Sequence, residues 1–329
     1  MPRILIVKTT SMGDVIHALP VLHDIRAHNP HMVIDWMVEE PFADLVRAND
    51  RVNEIVPVNL RKWRKKGIRY TVQRWKELKA SLADREYDLV IDLQGLIKSA
   101  VLAKAARGPL AGPGFGYAKE WIAALFYTKR AGWDPQAHAV ERLRELAAAL
   151  LEYRLSGPPV FYHWIEKGHR QVTHAHSSPS DHSKQEIWFL HATARDEKKW
   201  PLVSWREMAH RMSDMGYTIC LPWGSDAERD QAEAIAKGID HVQVLPRMGL
   251  GDLQARLQSA SLVVGVDTGI THLAAALYLP LVALFFATPA WRFAPRFNPN
   301  SISLGDVGRV PAVGEVYEAT TRLLRGNKI

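Results

Sequence analysis

Three short stretches of this sequence gather residue types that handle phosphate and protons. The first, Lys8-Thr9-Thr10-Ser11-Met12-Gly13-Asp14, follows directly on the apolar run Ile4-Leu5-Ile6-Val7. Ser11 and Gly13 supply turn freedom and exposed backbone N–H groups, and Asp14 falls at the start of the next helix. Two readings of Asp14 stand side by side: a helix cap, or a carboxylate at a cleft edge placed to take a proton from an acceptor hydroxyl. The second stretch, Leu190-His191-Ala192-Thr193-Ala194-Arg195-Asp196-Glu197-Lys198-Lys199-Trp200-Pro201, turns from a strand into hydroxyl and basic residues. Thr193 and Lys198 suit a diphosphate, because a fixed ammonium stabilises the charge that grows on a departing nucleoside diphosphate. Asp196, Glu197 and Lys199 read as a solvated charged loop. In the third, Val263-Val264-Gly265-Val266-Asp267-Thr268-Gly269-Ile270-Thr271-His272, a strand ends at Asp267 and Thr268-Gly269 turn into a small-residue helix. The free N–H groups and positive dipole end of such a helix receive phosphate. Helix packing accounts for Ala274, Ala275 and Ala276 but not for Asp, Thr, Gly and His clustered at one strand end.

All three stretches lie where a strand hands over to a helix, so an α/β architecture must position them. Short β-branched runs alternate with amphipathic ones, the pattern of parallel sheets. Strands are predicted at 4–7, 32–38, 54–58, 87–93 and 110–115, with helices at 15–28, 70–84, 95–107 and 139–153. After a weakly patterned stretch a second alternation predicts strands at 186–191, 218–222, 242–245, 262–266 and 281–286, and helices at 203–215, 227–237, 250–259 and 270–277. The 329 residues thus divide into Rossmann-like halves at 1–156 and 185–329, joined by an interdomain region at 157–184. His174, His176 and His182 in that region lack accompanying acidic or Cys ligands and read as a polar linker rather than a metal site. Neither half carries a Walker A loop or G-x-G-x-x-G, since Gly112-Pro113-Gly114-Phe115-Gly116 has the wrong spacing. The ligand site is expected at the carboxyl ends of the strands, facing across a cleft between the two domains.

With 47% hydrophobic residues the chain can build substantial cores, and its net charge of +7 favours acidic partners. The apolar run at 278–287 contains Pro280 and is too short to span a bilayer. The N-terminus lacks a signal-peptide pattern, so a cytoplasmic protein is expected. Cys220, the single cysteine, sits in an apolar run and reads as buried rather than reactive.

Lys8 to Asp14, Leu190-His191-Ala192-Thr193 with Lys198 and Trp200-Pro201, Leu221-Pro222-Trp223-Gly224, and Gly265-Val266-Asp267-Thr268-Gly269 with His272 together resemble the lipopolysaccharide heptosyltransferases, nearly end to end. Within glycosyltransferase family 9 the first motif is more similar to the first transferase than to the second, which acts on an already heptosylated acceptor. The resemblance implies a GT-B fold, with an N-terminal acceptor domain and a C-terminal domain for the donor, ADP-L-glycero-D-manno-heptose. It also implies inversion at the anomeric centre. Asp14 is then the base that activates a Kdo hydroxyl of Kdo-lipid A. Thr193, Lys198, Thr268 and Gly269 hold the diphosphate, and Asp267 and His272 lie beside the donor sugar and phosphates. Glu228 grips the ribose and Met248 lies beside the adenine. Ala194 departs from the family, which commonly has a second threonine there; a backbone N–H can still serve.

The densest positive run is 61–69, with Trp63 and Tyr70 interleaved. A solvated loop is one reading, and a nucleic-acid surface built on stacking and phosphate contacts is another. Under the resemblance, Arg61, Arg64 and Lys65 receive the Kdo carboxylates and lipid A phosphates. The same charges then hold the enzyme peripherally at the anionic cytoplasmic face of the inner membrane, and no nucleic acid is a partner. No D-x-D pair occurs, so no metal site is expected and charge stabilisation falls to Lys198 and the helix end.

Overall fold

The computed structural model describes residues 1–162 and 185–326. The chain divides into two compact units, Met1–Glu166 and Lys167–Ile329. In the first, six parallel strands, β1 (Arg3–Val7), β2 (Val33–Glu39), β3 (Glu54–Val58), β4 (Leu89–Asp92), β5 (Leu110–Pro113) and β6 (Lys129–Ala131), lie in the order β3-β2-β1-β4-β5-β6. In the second, β7 (Glu186–Leu190), β8 (Thr218–Leu221), β9 (Val242–Val244), β10 (Leu262–Val266), β11 (Leu281–Leu284) and β12 (Ser301–Leu304) lie in the order β12-β11-β10-β7-β8-β9. Counted from its own first strand, each unit repeats the doubly wound 3-2-1-4-5-6 arrangement. The order reverses between β1 and β4 in one unit and between β7 and β10 in the other. Register there is set by pairs such as Ile6 with Ile91 and Val264 with Phe189.

The central strands are apolar on both faces, because helices cover both sides of a parallel sheet. Leu5, Val7, Val90 and Trp63 join one core, and Phe189, Val264, Trp200 and Trp205 join the other. Cys220 is buried, and burial pushes its thiol up to about 12. The sixth strand of each unit is absent from the sequence expectation. Lys129–Ala131 and Ser301–Leu304 are short edge strands with little apolar alternation, so only pairing with a neighbour reveals them. The helix expected at 15–28 is two, Met12–Ala18 and Pro20–His28, because Pro20 cannot donate into a continuing helix and instead starts a new one. The helix Val313–Leu324 closes the second unit.

Of the expected interdomain region, residues 157–162 belong to the first unit. Phe161 and Tyr162 are fully buried, and Asn49 donates to the Phe161 carbonyl at 2.7 Å. Residues 163–184, with His174, His176 and His182, lie outside the described residues. A buried ion pair also shapes this unit: Arg144 on helix Ala139–Leu151 grips Asp24 with two hydrogen bonds, 2.8 and 2.9 Å. Nothing in the local pattern of either residue announces the other.

Candidate active site

The N-terminal polar cluster stands at the carboxyl ends of β1 and β4, where the strand order reverses. Lys8 is 2% exposed and donates to the Leu93 carbonyl at 3.0 Å. Burial pulls its ammonium down from 10.5 to about 8, against the opposing attraction of Asp14. Gln94 clasps the loop that follows β1. Its Oε1 accepts from the Thr9 and Thr10 N–H groups at 2.8 and 3.2 Å, and its Nε2 donates to the Thr10 carbonyl at 2.8 Å. Beneath it the buried Asp92 accepts from Ser99 Oγ at 2.7 Å, Tyr127 OH at 2.8 Å and the Gln94 N–H at 2.7 Å, while burial pushes its carboxyl up.

Asp14 occupies the third position of helix Met12–Ala18, and its Oδ2 accepts from both the N–H and the hydroxyl of Ser11 at 3.2 Å. The capping reading of Asp14 is therefore realised. The same Oδ2 meets Lys119 Nζ at 3.5 Å, and the side chain keeps 34% of its surface in solvent. Burial alone would push the carboxyl up. The Lys8 and Lys119 ammoniums, the Ser11 N–H and His17 outweigh it and hold Asp14 well below the usual carboxylate range. Asp14 is thus a fixed, solvent-accessible anion flanked by two cations. Lys119 and Gln94 were not among the sequence candidates. Gln94 had a signal, since it follows the β4 run as Asp14 follows β1; Lys119 arrives on a loop remote in sequence.

The C-terminal cluster repeats the placement at the ends of β7 and β10. Lys198, on the short turn Asp196–Lys198, reaches Asp267 Oδ2 at 2.5 Å. Asp267 Oδ1 meets His272 Nε2 at 2.9 Å, and Thr288 Oγ1 donates to Oδ2 at 2.6 Å. Burial of Asp267 acts to raise its pKa, but His272, Lys198 and Thr288 together hold it well below the usual range. Thr268 precedes helix Gly269–Ala276, and its Oγ1 lies 3.2 Å from that of Thr271, which donates to the Val266 carbonyl at 2.6 Å. Gly265 makes room for this turn: a Cβ there would stand 2.4 Å from Thr271 Oγ1. Thr193 is half-buried and accepts from the Arg195 N–H at 3.4 Å, and Ala194 is exposed. Asp196 and Lys199, expected to be merely solvated, pair with each other at 2.7 Å. Thr288 had no sequence signal, because its partner Asp267 lies a strand away, and Thr271, though inside the third stretch, is not distinguished there from any other helix residue.

Glu228 and Met248 fall after β8 and β9, the strands next to β7 on the side away from β10. The strand order β10-β7-β8-β9 therefore puts Asp267, Thr193, Glu228 and Met248 on the segments that leave four adjacent strands. Glu228 Oε2 already accepts from the Gly224 and Ser225 N–H groups at 2.8 and 3.0 Å, capping helix Asp226–Ala236.

Arg61, Arg64 and Lys65 are exposed, but on the helix Leu60–Lys65 rather than on a loop. Asn59 caps it, accepting from the Lys62 N–H at 3.1 Å. Trp63 is 6% exposed and belongs to the core, and Tyr70 packs against that core beneath the Lys66 ammonium. Trp63 is thus withdrawn from solvent and Tyr70 is half-buried, so the tryptophan of the basic segment is not presented for stacking.

Two doubly wound units, each with a polar cluster at the reversal of its strand order, define an α/β protein of the GT-B class. Residues 75–316 match the model of glycosyltransferase family 9 (heptosyltransferase). Lipopolysaccharide heptosyltransferase 1 of Salmonella typhimurium is 40% identical over 293 residues, covering 87% of this chain and 89% of that protein. Lipopolysaccharide heptosyltransferase 1 of Pseudomonas aeruginosa is 40% identical over 306 residues, 92% of this chain and 83% of that one. The solved structure of E. coli heptosyltransferase WaaC with ADP matches with a TM-score of 0.83 at 35% identity over 99% of both chains. The chain belongs to glycosyltransferase family 9, and it is a heptosyltransferase of lipopolysaccharide biosynthesis.

Proposed function

We propose that the protein transfers L-glycero-D-manno-heptose from ADP-heptose to a Kdo residue of Kdo-lipid A, inverting the anomeric centre, at the cytoplasmic face of the inner membrane. The observation that carries this proposal is the pair of strand-end clusters: an accessible anion, Asp14, in one unit, and Lys198 with a helix N-terminus in the other.

In this mechanism the Kdo hydroxyl oxygen forms a bond to the anomeric carbon while the bond from that carbon to the β-phosphate oxygen breaks. The electron pair leaves with ADP, and the hydroxyl proton passes to Asp14. Because its neighbours hold Asp14 low, it is ionised throughout the physiological range and accepts the proton late, once bond formation has made the attacking oxygen acidic. Lys198 and the first N–H groups of helix Gly269–Ala276 stabilise the departing diphosphate. Thr193, Thr268 and the Ala194 N–H add contacts to it, and Asp267 with His272 orients Lys198 and the sugar. Along the row of strand ends the nucleoside lies over β8 and β9, with the ribose against Glu228 and the adenine beside Met248. Since Glu228 Oε2 is engaged in the helix cap, the ribose hydroxyl falls to Oε1. Arg61, Arg64 and Lys65 receive the acidic groups of the acceptor.

The test is turnover with ADP-heptose on Kdo-lipid A compared with a heptosylated acceptor; turnover on the second alone would reassign the protein to the second transferase. Asp14→Asn is expected to lower kcat by about 10²–10⁴-fold. The amide oxygen that replaces the carboxylate can still accept from Ser11, so the cap should persist and stability change by less than about 1 kcal/mol, with ADP-heptose binding kept. Near-normal turnover of this variant would remove Asp14 as the base.

A further inference from the structure

We propose that an exposed apolar face of the N-terminal unit docks on an anionic lipid bilayer. The face combines the 3-10 turn Trp121–Phe126 with the outer side of helix Ile97–Ala103. Ala123 and Ala124 anchor the turn in the core, while Trp121, Ile122 and Leu125 point outward at 60%, 39% and 59% exposure. A 3-10 helix repeats every three residues, so Ile122 and Leu125 stand one above the other with Trp121 beside them. On the adjoining helix the spacing of three brings Lys98, Val101 and Lys104 to one exposed side, with Val101 41% exposed. The two elements are joined: the Ile97 N–H donates to Glu120 Oε2 at 2.6 Å, and Lys104 Nζ lies 5.4 Å from the centre of the Phe126 ring.

The composition selects the occupant. A tryptophan and branched aliphatics flanked by lysines match the boundary between acyl chains and anionic headgroups. There the indole sits at headgroup level and lysine stems snorkel outward. A second copy of the chain is the poorer fit, because it would oppose lysine to lysine in a protein of net charge +7. Neither Arg61, Arg64 nor Lys65 is part of this face, so it is a second membrane contact, apolar where the first is purely ionic. It rests on the proposed glycolipid acceptor only for its purpose, which is to hold the enzyme where that acceptor lies.

The experiment measures co-sedimentation with vesicles of phosphatidylglycerol and phosphatidylethanolamine, and transfer to two acceptors, vesicle-embedded Kdo-lipid A and a deacylated water-soluble counterpart. Trp121→Ser combined with Leu125→Ser is expected to weaken vesicle binding by at least about tenfold. It should slow transfer to the embedded acceptor and leave transfer to the soluble one unchanged. Lys98→Gln combined with Lys104→Gln, a purely surface change, should weaken binding by about fivefold per lysine on anionic vesicles, and not on phosphatidylcholine alone. Unchanged vesicle binding by both variants overturns the proposal. So does a wild-type dimer, seen by light scattering, that the Trp121 and Leu125 substitutions make monomeric. If the wild-type protein transfers heptose to neither acceptor, the functional assignment fails while the vesicle measurements still decide the docking face.

Discussion

Replacing Lys198 by methionine separates what its ion pair does for the fold from what it does for the reaction. Lys198 Nζ is 2.5 Å from Asp267 Oδ2, with side chains 17% and 7% exposed. Removing the only partner of a buried charge costs about 3–5 kcal/mol. Asp267 is not left alone, however, since His272 and Thr288 still bond to it at 2.9 and 2.6 Å. The expected loss is therefore smaller, about 1–2 kcal/mol, which lowers Tm by roughly 2–8 °C for a unit of this size. Catalysis should suffer more. A fixed cation facing the leaving diphosphate contributes about 3–4 kcal/mol to the transition state, so kcat should fall by about 10²–10³-fold. The assay is ADP release at saturating donor and acceptor at 25 °C, with a thermal melt on the same sample. Lys198→Arg, which keeps the charge with a different shape, should recover part of the rate. A Lys198→Met rate within threefold of wild type per folded molecule, whatever the Tm, would refute the assignment and leave Lys198 a structural partner of Asp267.

Further outcomes follow from the same geometry. Because burial holds folded Lys8 at about 8, below its unfolded value of 10.5, the fold favours the neutral amine, and stability should rise with pH across that interval. Loss of the Lys8 charge near pH 8 also withdraws an attraction from Asp14, so the pH–rate profile should bend there, and Lys8→Met should lack the bend. Gly265→Ala should cost about 1–3 kcal/mol in urea unfolding, since its Cβ meets Thr271 Oγ1. Adding Thr271→Ala should return part of the loss. Neutralising Arg61, Arg64 and Lys65 together to glutamine should change stability by less than about 0.5 kcal/mol each, because all three are exposed. It should raise the KM for acceptor at least about tenfold without moving the KM for donor; a parallel rise in both would place these residues elsewhere in the reaction.

The sequence by itself determined the two parallel α/β halves, the strand-to-helix junctions that carry the chemistry, and the family. These are local properties: β-branched runs bounded by turn residues, and Asp14, Lys198 and Asp267 each within a few residues of a strand end. The sequence also determined that Cys220 is buried, through the apolar run around it. Tertiary structure decided what depends on residues distant in the chain. It brought Lys119 to Asp14, wrapped Gln94 around the loop after β1, and closed Lys198, His272 and Thr288 on Asp267. It drew Trp63 into the core and so took the aromatic out of the basic segment. It also paired the two edge strands, Lys129–Ala131 and Ser301–Leu304, which have too little apolar alternation to be seen alone. Side-chain charge and strand pairing act through space, and one-dimensional spacing records only the partners that lie close along the chain.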